Sequence, residues 1–155
     1  MAKKIDVFLS RTLKLSNAVY KEVYLAEDES PVNIEVERID NFIKSKGSEP
    51  IGPIVQLNKS FVNEDGELDF KIILIRQSQN FINHVEPPFC IEAVLREKDC
   101  LYTRFEGSEE DIKYAYNKLA VFAYEEGIKL TGTSYTVFVD RNDENVIIDI
   151  FMLKE

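Results

Sequence analysis

The chain has 155 residues, 45% apolar and 30% charged, and a formal net charge of −9. That length suits a single domain able to bury a sizeable core, and the composition excludes a disordered chain. The acidic balance, with Lys and Arg scattered and only Lys3-Lys4 tightly clustered, excludes nucleic acid and acidic membrane surfaces as expected partners.

The N-terminal KKIDVFLS carries the apolar residues Ile5, Val7, Phe8 and Leu9, which Ser10-Arg11 interrupts before they reach the length of a signal peptide's centre. It reads as a segment that covers or pairs a sheet edge, in its own chain or a neighbour's. No apolar run approaches the roughly 20 residues of a membrane span, so a cytoplasmic location is expected. AVYKEVYLA follows as an extended candidate, with Val19, Val23 and Leu25 on one face and Tyr20, Glu22 and Tyr24 on the other.

A helix is predicted to open at Glu29-Ser30-Pro31, with Ser30 as N-cap and Pro31 at the first helical position. Val32, Val36, Ile39 and Phe42 or Ile43 form its apolar stripe, and Gly47 closes it. EPIGPIVQLN, the turn NEDGE and LDFKIILI then read as a hairpin. QSQNFINHVEPPFC has the Asn, Ser and Pro-Pro content of a crossing loop. It holds the only histidine, His84, with no nucleophile motif around it.

CLYTRFEG is the next extended candidate, alternating Tyr102 and Arg104 with Leu101, Thr103 and Phe105. A second helix opens at Gly107-Ser108, with Asp111 placed for a capping-box-like arrangement. Ile112, Ala115, Tyr116, Leu119 and Phe122 form its stripe, and Gly127 ends it. IKLTGTSYTVFV, the turn DRNDEN and VIIDIFML complete a second hairpin. Cys90 and Cys100 fit no metal motif and are expected to be free thiols. No metal and no cofactor is expected.

The order strand, helix, strand, strand thus occurs twice. Gly52 matches Gly132, Val55-Gln56-Leu57 matches Tyr135-Thr136-Val137, and Leu68, Phe70, Ile72, Leu74 match Val146, Ile148, Ile150, Met152. The expected fold is α+β: a duplicated, pseudo-twofold unit with a mostly antiparallel sheet, two helices packed on one side and a central groove. The repeats span about 16–76 and 98–153 of one domain over 1–155, joined by a crossing loop over 77–97.

On these features residues 16 to 153 resemble the GyrI-like family, the effector-binding domain of bacterial multidrug-responsive transcription activators, with its SHS2-type duplication. Gly52-Pro53, Gly132 and the terminal strand with Asp149-Ile150 carry the likeness. With no helix-turn-helix in front, the chain is similar to stand-alone members, some of them from Gram-positive bacteria. The resemblance implies a groove that holds amphipathic, often cationic molecules, with a Glu two residues before an aromatic. The aromatic falls on Phe138 and the Glu on Thr136. Threonine cannot balance a buried cation, and it cannot serve as the general base that some hydrolase-like relatives would need.

Strand alternation then defines the candidate site. Tyr135, Val137, Val55 and Leu57 are expected against the helices. Ile54, Gln56, Asn58, Ser134, Thr136 and Phe138 are expected on the groove face, joined by Tyr20, Glu22, Tyr24, Tyr102 and Arg104. Glu22 either pairs with Arg104 or replaces the missing carboxylate, and Asp149 is expected on an edge strand with one wet face. The expected function is non-enzymatic binding of an apolar or aromatic, uncharged small molecule. The alternatives are a protein-interaction or accessory module for a secretion, toxin or enzyme-inhibitor system, and, behind both, a hydrolase relying on Glu22, Asp149 or a tyrosine. The sequence leaves oligomeric state open.

Overall fold

The structure, a computed structural model, describes residues 5–23 and 32–155. These form β1 (Val7–Val23), α1 (Val32–Ser45), β2 (Pro50–Val62), β3 (Leu68–Ser78), β4 (Phe89–Gly107), a 3-10 turn (Glu109–Asp111), α2 (Ile112–Glu125), β5 (Leu130–Arg141) and β6 (Val146–Lys154). Six strands and two helices give an α+β chain. Among the described residues no helix is long and apolar enough to cross a membrane.

Two compact units share these elements. The central unit is Lys14–Arg96, and the terminal unit joins the residues through Leu13 to Glu97–Glu155. Both β1 and β4 run from one unit into the other. In the central unit β3 lies between β1 and β2, antiparallel to each. In the terminal unit β6 lies between β4 and β5, again antiparallel. Beside β4 lies the start of the chain, where the Thr103 hydroxyl donates to the Asp6 carbonyl at 2.6 Å.

Local chemistry accounts for the turns and ends. Both helices close on a glycine at positive φ, Gly47 at 80° and Gly127 at 68°. The chain then folds back so that Ser48 N–H reaches the Ile43 carbonyl and Ile128 N–H the Ala123 carbonyl, at 3.2 and 2.8 Å. In the hairpin turns an Asn side chain does the work: Asn63 Oδ1 accepts from Asp65 and Glu67 N–H, and Asn142 Oδ1 from Glu144 and Asn145 N–H.

The expected capping box at Ser108 and Asp111 does not form, since neither side chain caps the helix. A backbone bond from Asp111 N–H to the Ser108 carbonyl at 3.0 Å makes a 3-10 first turn instead. The expected Ser30 cap and Pro31 lie outside the described residues. The crossing segment is shorter than predicted: 79–88 is irregular, but β4 already begins at Phe89.

Each unit has its own core. In the central unit Val19, Val23, Ile39, Ile43, Leu74 and Ile82 are buried, with Val36, Phe42 and Ile72 packed against them. In the terminal unit Leu101, Phe105, Ala115, Leu119, Ile148 and Ile150 are buried together. The predicted stripes of both helices therefore face the sheets, apart from Val32, whose side chain is not described.

Candidate ligand-binding face

Which strand parity faces each helix decides where the candidate residues go, because residues paired across a ladder share a face. Leu74 and Ile72 pack with α1 and pair with Gln56 and Asn58. Gln56 and Asn58 therefore lie on the α1 side, where the Gln56 amide donates to Asn58 Oδ1 at 2.9 Å. Ile150 and Met152 pack with α2 and pair with Thr136 and Ser134. Thr136 is 2% exposed and shares a hydrogen bond with the Tyr116 hydroxyl of α2, and Phe138 joins the α2 core.

These placements correct the sequence reading, which put Gln56, Asn58, Ser134, Thr136 and Phe138 away from the helices. The alternation was right and its polarity was inverted. Polar residues can sit under the helices because the helices bring partners. Beyond Tyr116, the buried Glu35 of α1 accepts from Lys21 and Arg38, each at 2.6 Å. Ile54 lies where pairing with β3 lapses, between Ile51 and Val55.

Tyr20, Glu22, Tyr102 and Arg104 do lie on the faces turned away from their own unit's helix. In the central unit Tyr20 pairs with Ile75 and Glu22 with Ile73, on the side of Val55 and Leu57. Burial, with the Cys90 thiol and the Glu92 carboxylate nearby, pushes the Tyr20 phenol up. Glu22 has Lys71 at 3.8 Å as an ion partner, and Arg104 has Asp149 at 2.7 Å. Tyr24 lies outside the described residues.

In the terminal unit this face carries a built constellation. Asp149 is on the middle strand β6, not an edge, and its side chain is 14% exposed. It accepts three hydrogen bonds, from Tyr102 Oη at 2.7 Å, Arg104 Nε at 2.7 Å and Arg104 Nη2 at 2.9 Å. The fork satisfies the carboxylate bidentately. Burial and the bond to Asp149 push the Tyr102 phenol up to about 12. A phenol that donates to a carboxylate and resists ionisation is a poor general base, which weighs against Tyr102 as a hydrolytic residue.

Rings surround the cluster. The Tyr102 ring lies 4.9 Å from Phe151 and 5.8 Å from Phe8. The Arg11 guanidinium stands 4.6 Å from the Phe8 centroid and 5.4 Å from that of Tyr102. Tyr135 pairs with Phe151 and Val137 with Asp149, so both share this face rather than packing on α2 as expected. The sequence reading named Tyr102, Arg104 and Asp149 but not Phe8, Arg11, Phe151 or Tyr135 as site residues. The signal for Phe8 and Arg11 was an aromatic and a cation in KKIDVFLSR, read as an edge cover.

Comparison with known families and with curated proteins finds no match. Solved structures do align with the chain. One is a protein of Staphylococcus aureus MU50 provisionally described as a bacterial transcription regulation protein. It is 12% identical, with a TM-score of 0.45 over 98% of this chain and 97% of that one. Another is SAV2435 bound to tetraphenylphosphonium, 12% identical, with a TM-score of 0.47 over 100% of this chain and 94% of that one. Likeness at this level carries no functional argument.

Proposed function

We propose that the protein is a non-enzymatic binder of small aromatic molecules, and that the Tyr102 face of the terminal unit is where they dock. The observation that supports this most is the Asp149 network: three hydrogen bonds hold Tyr102 and Arg104 in fixed orientations beside partly exposed rings. Phe8 leaves 41% of its surface open. A ring stacked there gains about 0.5–1.5 kcal/mol beyond area burial, without having to order the side chains that receive it. In the GyrI-like reading the same face would belong to one half of a duplicated unit; the shared element order of the two units supports that reading.

A thermal-shift screen of planar aromatic compounds tests the proposal. Hits are expected to raise the melting temperature of the native protein, and Phe8→Ala is expected to weaken them by about 1 kcal/mol, several-fold in Kd. Phe8 is partly exposed, so this variant should fold. No hit at all, or hits indifferent to Phe8→Ala, would sink the proposal.

A protein-interaction role draws on a separate observation: α2 leaves Tyr114, Val121 and Tyr124 exposed along its outer side. That stripe shares no residue with the Tyr102 cluster, so variants in one leave the other intact.

A further inference from the structure

The charges around Tyr102 point to the kind of molecule the face selects, an inference that rests on the proposed binding role and deepens it. We infer that the ligand is an aromatic anion, with Arg11 and the unspent edge of Arg104 as its counter-charges.

Asp149 is the carboxylate a cationic ligand would have to use, and it is already saturated. Its oxygens take Tyr102 and both parallel N–H groups of the Arg104 fork. Freeing it would strand a guanidinium and a phenol together. Among the described residues the Arg104 hydrogen bonds use Nε and Nη2 and not Nη1, and its side chain is 52% exposed. Arg11 is exposed, and among the described residues no carboxylate forms an ion pair with it; its contacts are the faces of Phe8 and Tyr102.

Two guanidiniums thus meet one carboxylate, a local positive excess in a chain of net charge −9. A guanidinium lying on rings keeps its planar N–H edge free for a carboxylate, sulfonate or phosphate while the same rings stack the ligand's aromatic part. A cationic aromatic would instead meet Arg11 and Arg104 as like charges. Charge selection therefore runs opposite to what a free carboxylate on this face would give.

A matched pair of dyes separates charge from stacking: anilinonaphthalene sulfonate and its uncharged parent, N-phenylnaphthylamine, titrated by fluorescence against the full chain. The sulfonate is expected to bind about tenfold more tightly, and added salt should erode that advantage. Arg11→Ala should remove most of it, read as the ratio of the two dyes' affinities in the same variant, and Arg11→Lys should restore part. Lys59→Ala, on an exposed strand position of the other unit, controls for non-specific attraction and should change neither dye.

Equal affinity for the two dyes, or a sulfonate preference that survives Arg11→Ala, would overturn the anion assignment and leave the binding role standing. If neither dye binds and no aromatic compound shifts the melting temperature, the binding role itself fails.

Discussion

Thr136 shows how one side chain can carry opposite meanings. The family resemblance would place a ligand-facing acid at this position; in the fold Thr136 is buried under α2 against the Tyr116 hydroxyl. Burial raises the Tyr116 phenol, consistent with a hydroxyl kept neutral and hydrogen-bonded. Thr136→Val should cost about 1 kcal/mol, because it removes the partner and leaves a largely buried hydroxyl unsatisfied. Urea denaturation checks the loss, and aromatic ligand affinity should be unchanged. A variant of native stability that no longer binds ligand would return Thr136 to the site.

Among elements, the hairpins were the most legible and their facing the least. Alternating apolar residues and Asn-rich turns placed all four hairpin strands, and glycines marked both helix ends. Facing was lost because VQLN and YTV offer apolar residues at one parity, and hydrophobicity alone assigns those to the helix. In the central unit Gln56 and Asn58 satisfy each other under α1, and in the terminal one Tyr116 partners Thr136, through side-chain pairings that no apolar pattern displays. Asp149 was misread as an edge residue for a related reason: strand order depends on distant pairing, and the second strand of each hairpin takes the middle place.

Glycines set the irregular starts of β2 and β5. Gly52 has φ 72° and Gly132 φ 89°, each beside a lapse in strand register. A Cβ at Gly52 would meet Gln77 Nε2 at 2.9 Å, whereas one at Gly47, with φ 80°, would meet nothing. Both alanine variants carry the left-handed backbone cost of about 1–2 kcal/mol. Gly52→Ala should lose more, because Gln77 also accepts the Ser16 N–H at 2.9 Å and must shift. Denaturation midpoints should differ between the two variants in the native background and converge in Gln77→Ala; identical losses from the start would refute the steric part.

The whole molecule should be sensitive to alkali rather than to mild acid or base. Burial, then the Glu97 and Asp99 charges, pushes the Cys100 thiol from 9.0 up to about 11. Tyr102 rises from 10.0 to about 12, through burial and then Asp149. Raised folded values mean that the unfolded chain releases these protons first. The stability they contribute is therefore complete below pH 9 and lost as pH climbs through about 11 and 12. Melting temperature followed across the alkaline range should fall, and Tyr102→Phe should flatten the upper part of the fall. A Tyr102→Phe curve parallel to the native one would show that the phenol does not carry that part of the fall.

The terminal unit is assembled from both ends of the chain, with the central unit between them. During synthesis at about 5–20 residues per second, Phe8 and Arg11 leave the ribosome several seconds before Tyr102 exists. Lys154, which donates to the Leu9 carbonyl at 2.7 Å, is made later still. The aromatic face cannot form until β4 and β6 have both been made. A chain cut short before β6 would therefore carry Phe8 and Arg11 without the Asp149 that orders Tyr102 and Arg104, and the receptor would be missing although some of its residues had been made.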